Sequence, residues 1–299
     1  MKRSGADLIG LLCHAGDDTD LDALLALLQN LKGNDLIPLL RPHIERLLRD
    51  CLIRKYMVPD SGGYLATAFS GYQETDCATR QAVFHYSFKE KKELDDFELV
   101  PHPFFATLRR NQEPYENTLP LKIHDGAMTG YGTTSLILKP SFEGPIAMTV
   151  RFELIEHHEG QESIEQPSTS LHLGYGLGSE AGFICSSSFY HLCVQNERNG
   201  NYKLYNGLQT YEHLRLSQPY ISSLKGDSGK VVLCLDESTT VVIEMEGERT
   251  GKVFIENQSP FVFRLHELEV RAKVDPAWHK KSVLSFVEKD LEEILSRLP

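Results

Sequence analysis

Apolar residues recur at two different spacings along this chain, and the change from one to the other divides it. From Leu8 to Met57 the interval is helical: Leu21, Leu24, Leu25, Leu28 and Leu31 form one stripe, and Leu36, Leu39, Leu40, Ile44, Leu47 and Leu48 a second. Asp17, Asp18, Thr19 and Asp20 offer N-caps, and Gly33-Asn34 offers a stop before a new start near Asp35. Pro38 fits a first helical turn, whereas Pro42 should kink the helix or begin another, so three or four short helices are predicted. Pro59-Asp60-Ser61-Gly62-Gly63 then breaks the pattern.

Beyond that break the period falls to two. Val83-Phe84-His85-Tyr86-Ser87-Phe88 alternates, and Ile146, Met148, Val150, Phe152 and Leu154 place one apolar face along a single strand. Leu171, Leu173 and Tyr175 repeat this, as do Tyr190, Leu192 and Val194, and Val241, Ile243 and Met245. Between Gly229 and Ala272, three turn signals at 236–238, 246–251 and 257–260 cut four runs that read as closing strands of an antiparallel sheet. Phe261, Phe263 and Leu265 share a phase that Leu268 and Val270 leave, which predicts a bulge or bend near His266. Pro101, Pro103, Pro114 and Pro120 mark residues 95–121 as a long loop with irregular strand.

The end returns to helix. Asp275-Pro276 caps it, and Val283, Phe286, Val287, Leu291, Ile294, Leu295 and Leu298 form an apolar stripe that must be buried, for which the N-terminal helices are the nearest partner. The organisation expected is a helical segment over 1–58, a linker over 59–81, a β-sandwich over 82–274 and a C-terminal helix over 275–299. The fold class is therefore mainly β: an antiparallel jelly-roll sandwich with helical ends.

Composition narrows the function classes. With 299 residues the chain can bury a full core without staples, and its six scattered cysteines show no Cys-x-x-Cys pair. Reduced thiols and a cytoplasmic setting are expected, since the first residues hold no secretory core before Asp17 and Asp18. A net charge of −11 with no basic stripe argues against nucleic acid, and no apolar run approaches a membrane span. Lys89-Glu90-Lys91-Lys92, running on into Glu93, Asp95 and Asp96, reads as a solvated surface.

Candidate chemistry is sparse. Glu244 and Glu246 would share a strand face about 7 Å apart, a seat for a glycosidase carboxylate pair, but Gly247 and the residues after it read as a turn and leave both on an exposed face. His157 and His158 are adjacent and point apart on a strand, so no metal is expected there. Gly174-Tyr175-Gly176-Leu177-Gly178 has no helix pattern after it and reads as a hinge or strand crossing, and Ser186-Ser187-Ser188 lacks a nucleophile-elbow context. No cofactor is implied. Tyr202, Tyr205, Tyr211 and Tyr220 lie among Asn196, Asn199, Asn201, Asn206 and Gln209, a composition suited to stacking on sugar rings and bonding their hydroxyls, with Tyr202, Tyr205, Tyr211 and Asn206 as the ligand-binding candidates.

The succession Ile123-His124-Asp125-Gly126-Ala127-Met128-Thr129-Gly130, an alternating strand, Gly251-Lys252-Val253-Phe254-Ile255-Glu256-Asn257 and Leu265-His266-Glu267-Leu268-Glu269-Val270 resembles the concanavalin A-like lectin/glucanase superfamily over roughly residues 82–273. The resemblance implies a jelly-roll of two antiparallel sheets that binds on its concave sheet or along one edge. Family glucanases carry a Glu-x-Asp-x-Glu strand, where this chain has Glu246 at the centre and its third acid at a turn. The reading is a non-catalytic binding or interaction protein whose lectin-like sandwich recognises glycan or protein, with helical ends docking a protein partner. A glycoside hydrolase or related sugar-active enzyme using Glu244 and Glu246, and a structural subunit of an assembly, are the alternatives.

Overall fold

The computed structural model describes residues 10, 20–30, 37–58, 63–76, 78–101, 122–130, 134–157, 170–177, 182–188, 192–198, 201–207, 217–227, 229–236, 239–244, 249–257 and 261–297. The chain folds as two compact units, one made of residues 1–68 and 276–299 and the other of residues 69–275.

In the first unit, α1 (Leu21–Asn30), α2 (Ile37–Met57), α3 (Tyr64–Ala68) and α4 (Pro276–Ser296) come together, with α2 lying against α4. The C-terminal stripe finds the partner expected of it: Val283, Val287 and Leu291 are buried, as are Ile44, Leu47, Leu48, Cys51, Leu52 and Tyr56 on α2. The Tyr56 and Phe286 rings meet edge-on at 5.0 Å, and the Tyr56 hydroxyl donates to Asp290 at 2.7 Å. Arg49 donates to both carboxylate oxygens of Glu288, at 2.8 and 3.1 Å. Residues 37–57 form one helix, where Pro42 suggested a break. Pro42 is the sixth residue, close enough to the N-terminus that little of the helix precedes its missing N–H. Leu39, placed in the apolar stripe by spacing, is 76% exposed.

The second unit is built around one strand too long for a flat sheet. β6 (Thr134–His157) has 24 residues, and its two halves have different neighbours. Its C-terminal half lies between β11 (Pro219–Gly226) and β15 (Phe261–Val274). Outward from these come β12 (Lys230–Leu235) and β13 (Thr239–Glu244) on one side, and β2 (Gln81–Tyr86) and β1 (Tyr72–Thr75) on the other, giving the first sheet. The N-terminal half lies between β3 (Phe97–Pro101) and β14 (Thr250–Asn257), and β7 (Ser170–Leu177), β8 (Gly182–Ser188), β9 (Leu192–Arg198) and β10 (Asn201–Gly207) complete the second sheet. Every pairing is antiparallel. β4 (Lys122–His124) and β5 (Ala127–Gly130) extend the far end of β15. Their turn, Asp125-Gly126, has φ of 53° and 69°, the left-handed pair that a tight two-residue hairpin requires.

The strand changes sheet at Gly144-Pro145, where pairing with β15 skips and Gly144 adopts φ +70. The corner is tied from within: buried Tyr175 directs its hydroxyl to the carbonyls of Gly144 and Arg249, at 3.2 and 3.0 Å. Burial pushes the Tyr175 phenol well above its ordinary value, so it stays a donor. The buried Arg249 guanidinium in turn donates to the Asp227 carbonyl.

Two-residue periodicity fixes the core. Leu233, Leu224, Met148, Val270 and Phe84 form one cross-strand row of the first sheet, each at most 1% exposed. Leu136, Ile255 and Leu173 form the matching row of the second. The sheets meet at Tyr86 of β2 and Phe97 of β3, whose rings stand 4.8 Å apart. The expected antiparallel sandwich is what forms, and among the described residues no α-helix interrupts its strands.

The phase change in the last strand is a bulge. Leu265 opposes Phe152 and Glu267 opposes Arg151, so His266 is the extra residue, and Leu268 and Val270 return to the buried face. The four closing runs, however, divide between sheets: β12 and β13 form a hairpin, while β14 joins the second sheet and β15 the first. Turn residues specify a reversal, not which strand the chain will pair with next. Of residues 59–81, Tyr64–Ala68 form α3 and Tyr72–Thr75 form β1, and of 95–121 Phe97–Pro101 form β3. Asp96, expected on a solvated surface, is 3% exposed and accepts from the Gly71 amide and the Ser70 hydroxyl, at 3.0 and 3.1 Å.

Candidate functional site

The face of the second sheet opposite the core carries a dense line of polar positions. Ser135 of β6 opposes Glu256 of β14, which opposes His172 of β7. The same register continues through Ser186 of β8 and Cys193 of β9 to Asn206 of β10. Six strands thus place hydrogen-bonding or thiol-bearing residues at successive positions of one row. One pleat along, the row Leu136, Ile255, Leu173, Cys185, Val194 and Tyr205 is apolar except for its aromatic end, because neighbouring residues of a strand take opposite faces.

Moving along the polar face, the next row contains Ile137, Phe254, Gly174, Ile184, Gln195 and Leu204. The Phe254 ring covers Gly174 so closely that a Cβ there would lie 2.0 Å from it. Gly174 is therefore a floor for an aromatic ring, and Gly176, at φ +83, is where β7 skips one residue against β14. At the β3 edge the Lys252 ammonium meets Glu98 at 2.7 Å. The β6–β14 part of this face is filled: Ser135, Ile137 and Phe254 are buried and Glu256 is fully so. Farther along this face, the β8–β10 end carries the register positions Ser186, Ile184, Cys193, Gln195, Glu197, Tyr202, Leu204 and Asn206.

The ligand-binding candidates fall as follows. Tyr202, Tyr205 and Asn206 lie on β10, at the end of the strand order. Strand alternation puts Tyr202 and Asn206 on the polar face and Tyr205 on the row with Leu173 and Ile255. Tyr211 lies outside the described residues. Tyr220, on β11, is buried against Phe152 at 6.0 Å. Glu244 is exposed at the end of β13, opposite Lys230, and Glu246 lies outside the described residues. His157 ends β6, while His158 also lies outside them. Among the described residues no cluster of His, Cys, Asp and Glu has the makings of a metal site, and no helix is long and apolar enough to cross a membrane. Glu256, His172 and Ser186 escaped sequence reasoning because they are dispersed over three strands and become neighbours only through register.

No family model matches the sequence, and no curated protein matches it either. Solved structures do resemble the fold. A protein of unknown function with a galectin-like fold from Bacillus subtilis has a TM-score of 0.46 and 13% identity, over 68% of this chain and 98% of that one. The endo-β-1,3-glucanase of Pyrococcus furiosus has a TM-score of 0.44 and 10% identity, with the same coverage of 68% and 98%. The carbohydrate recognition domain of Emp46p has a TM-score of 0.39 and 12% identity, over 62% of this chain and 94% of that one. The neighbours are thus lectin-type and glucanase folds, while the strand order and register described above carry the sandwich assignment by themselves.

Proposed function

We propose that this chain is a non-catalytic recognition protein that binds oligosaccharide at the β8–β10 end of the polar face of its second sheet. The observation that carries the reading is the register that sets Ser186, Cys193 and Asn206 in one row on the face opposite the core, ending in a strand that also carries Tyr202. Sugar rings offer alternating hydroxyls and apolar C–H faces. Amide and carboxylate positions at Gln195, Glu197 and Asn206 match the hydroxyls, and an aromatic position at Tyr202 matches the C–H face.

The test is an array of mannose-, galactose- and glucose-terminated oligosaccharides, probed with the full chain. Tyr202→Ala or Asn206→Ala is expected to weaken the strongest signal by about tenfold, the equivalent of one stacking or hydrogen-bonding side chain. Lys203→Ala, one position along and on the other face, should leave it unchanged. Retention of no oligosaccharide at all would reject the reading.

A further inference from the structure

The helical unit contains a groove of about 380 Å³ between α3 and the first four turns of α4. Its walls are aromatic: Tyr64 packs against Trp278 at 6.2 Å and against Phe286 at 5.4 Å. Ser282, hydrogen-bonded with the Tyr64 hydroxyl, and Ser285 contribute small side chains to its lining. Lys281 and Lys289 stand at its rim; both are exposed, and neither forms an ion pair among the described residues. Among the described residues, no acid lines it. Two acids of the same helix are engaged elsewhere, Glu288 by Arg49 and Asp290 by the Tyr56 hydroxyl, so a protein of net charge −11 here presents two cations around an apolar slot.

The geometry points to a docking site for an acidic peptide segment of a partner protein, one that lays a large apolar side chain against the aromatic wall of Tyr64, Trp278 and Phe286 and sets carboxylates against Lys281 and Lys289. The spacing selects a peptide. Eight residues of helix separate the two lysines by about 12 Å, more than one small anion can bridge. In an extended chain that span is about four residues, so carboxylates on both sides of a single anchor reach both ammonium groups. Charge complementarity at the rim and aromatic burial at the centre are the arrangement of an anchored interface. This inference does not depend on oligosaccharide binding by the sandwich.

Trp278 is the only tryptophan, so its emission reports on the groove directly. The probe is a fluorescein-labelled peptide with leucine at its centre and a pair of glutamates on each side, titrated into the full chain and followed by anisotropy, with an unlabelled copy followed by Trp278 emission. Binding is expected to shift that emission, to weaken with added salt, and to fall about tenfold in K281E/K289E, where attraction becomes repulsion. A copy with glutamine in place of glutamate, and another with glycine in place of leucine, should each bind more weakly. Should the charge reversal disturb the helices by circular dichroism, K281Q and K289Q carry the same test with a smaller loss. An unchanged Trp278 spectrum, equal affinity in the charge variants, or equal affinity of the glycine-centred peptide would each overturn the proposal.

Discussion

Deleting His266 should be far less damaging than deleting Glu269 three positions later, although both shorten the same central strand by one residue. In the structure Leu265 opposes Phe152, Glu267 opposes Arg151 and Leu268 opposes Val150, with His266 inserted between the first two pairs. Removing His266 leaves every one of those pairings available and restores simple alternation: Leu265, Leu268 and Val270 inward, Glu267 and Glu269 outward. What is lost is the contact of His266 with Glu153 and the local bend, within about 1.5 kcal/mol in all. Removing Glu269 moves Val270 and Ala272, both fully buried, to the outer face and turns Arg271 inward. Exposing Val270 alone costs about 1.5–3 kcal/mol. Seating a guanidinium in its place adds several more, so the total is about 4 kcal/mol or above, a large part of a typical domain's stability of roughly 5–15 kcal/mol. Straightening the bulge cannot rescue this variant, because Glu267 would then face the core. Urea titration followed by far-ultraviolet circular dichroism measures both variants against the parent. Equal loss in the two, or the larger loss on removing His266, would refute the register argument.

Further expectations follow from close contacts and titrating groups. Gly174→Ala puts a Cβ 2.0 Å from the Phe254 ring and should destabilise by about 1–3 kcal/mol or more, while the double variant with Phe254→Ala should show strong non-additivity in the same titration. Asp96→Ala leaves the buried Gly71 amide without its acceptor and should cost about 1–3 kcal/mol by thermal or chemical unfolding. Burial lowers the pKa of His279 below its ordinary value, and its Nε2 has no hydrogen-bond partner among the described residues. The unfolded chain therefore binds a proton first, and stability of the helical unit should fall as pH drops through about 6.5 and level off only once His279 itself protonates. Unfolding of the chain monitored by Trp278 fluorescence across that range should show the slope, and His279→Phe should flatten it.

Those parts of the fold that rest on one strand or one helix were legible in the sequence. Ile146, Met148, Val150 and Phe152 announced a buried face by alternation alone, and the phase change around His266 announced its bulge. The C-terminal stripe announced a partner and found it in α2, since an amphipathic helix must cover its apolar side. What could not be read is whatever depends on which element meets which. The turn at 257–260 joins strands of different sheets, and its Asn, Ser and Pro carry no record of that. Asp96 ends a charged run yet is buried, because its acceptor role toward Gly71 arises only when the chain folds back. Pro42 lies inside a helix because it falls near the N-terminus, where little of the helix precedes its missing N–H. The polar row of the second sheet and the aromatic groove of α3 and α4 belong to the same class: each gathers residues from separate elements.

The most direct test is amide chemical-shift mapping of the isotopically labelled chain with the tightest oligosaccharide from the array. Shifts centred on Ser186, Cys193, Gln195 and Asn206, fading toward β14, are the expected result. Shifts centred on β12 and β13 or on the helices, or an array that yields no ligand to titrate, would contradict the account.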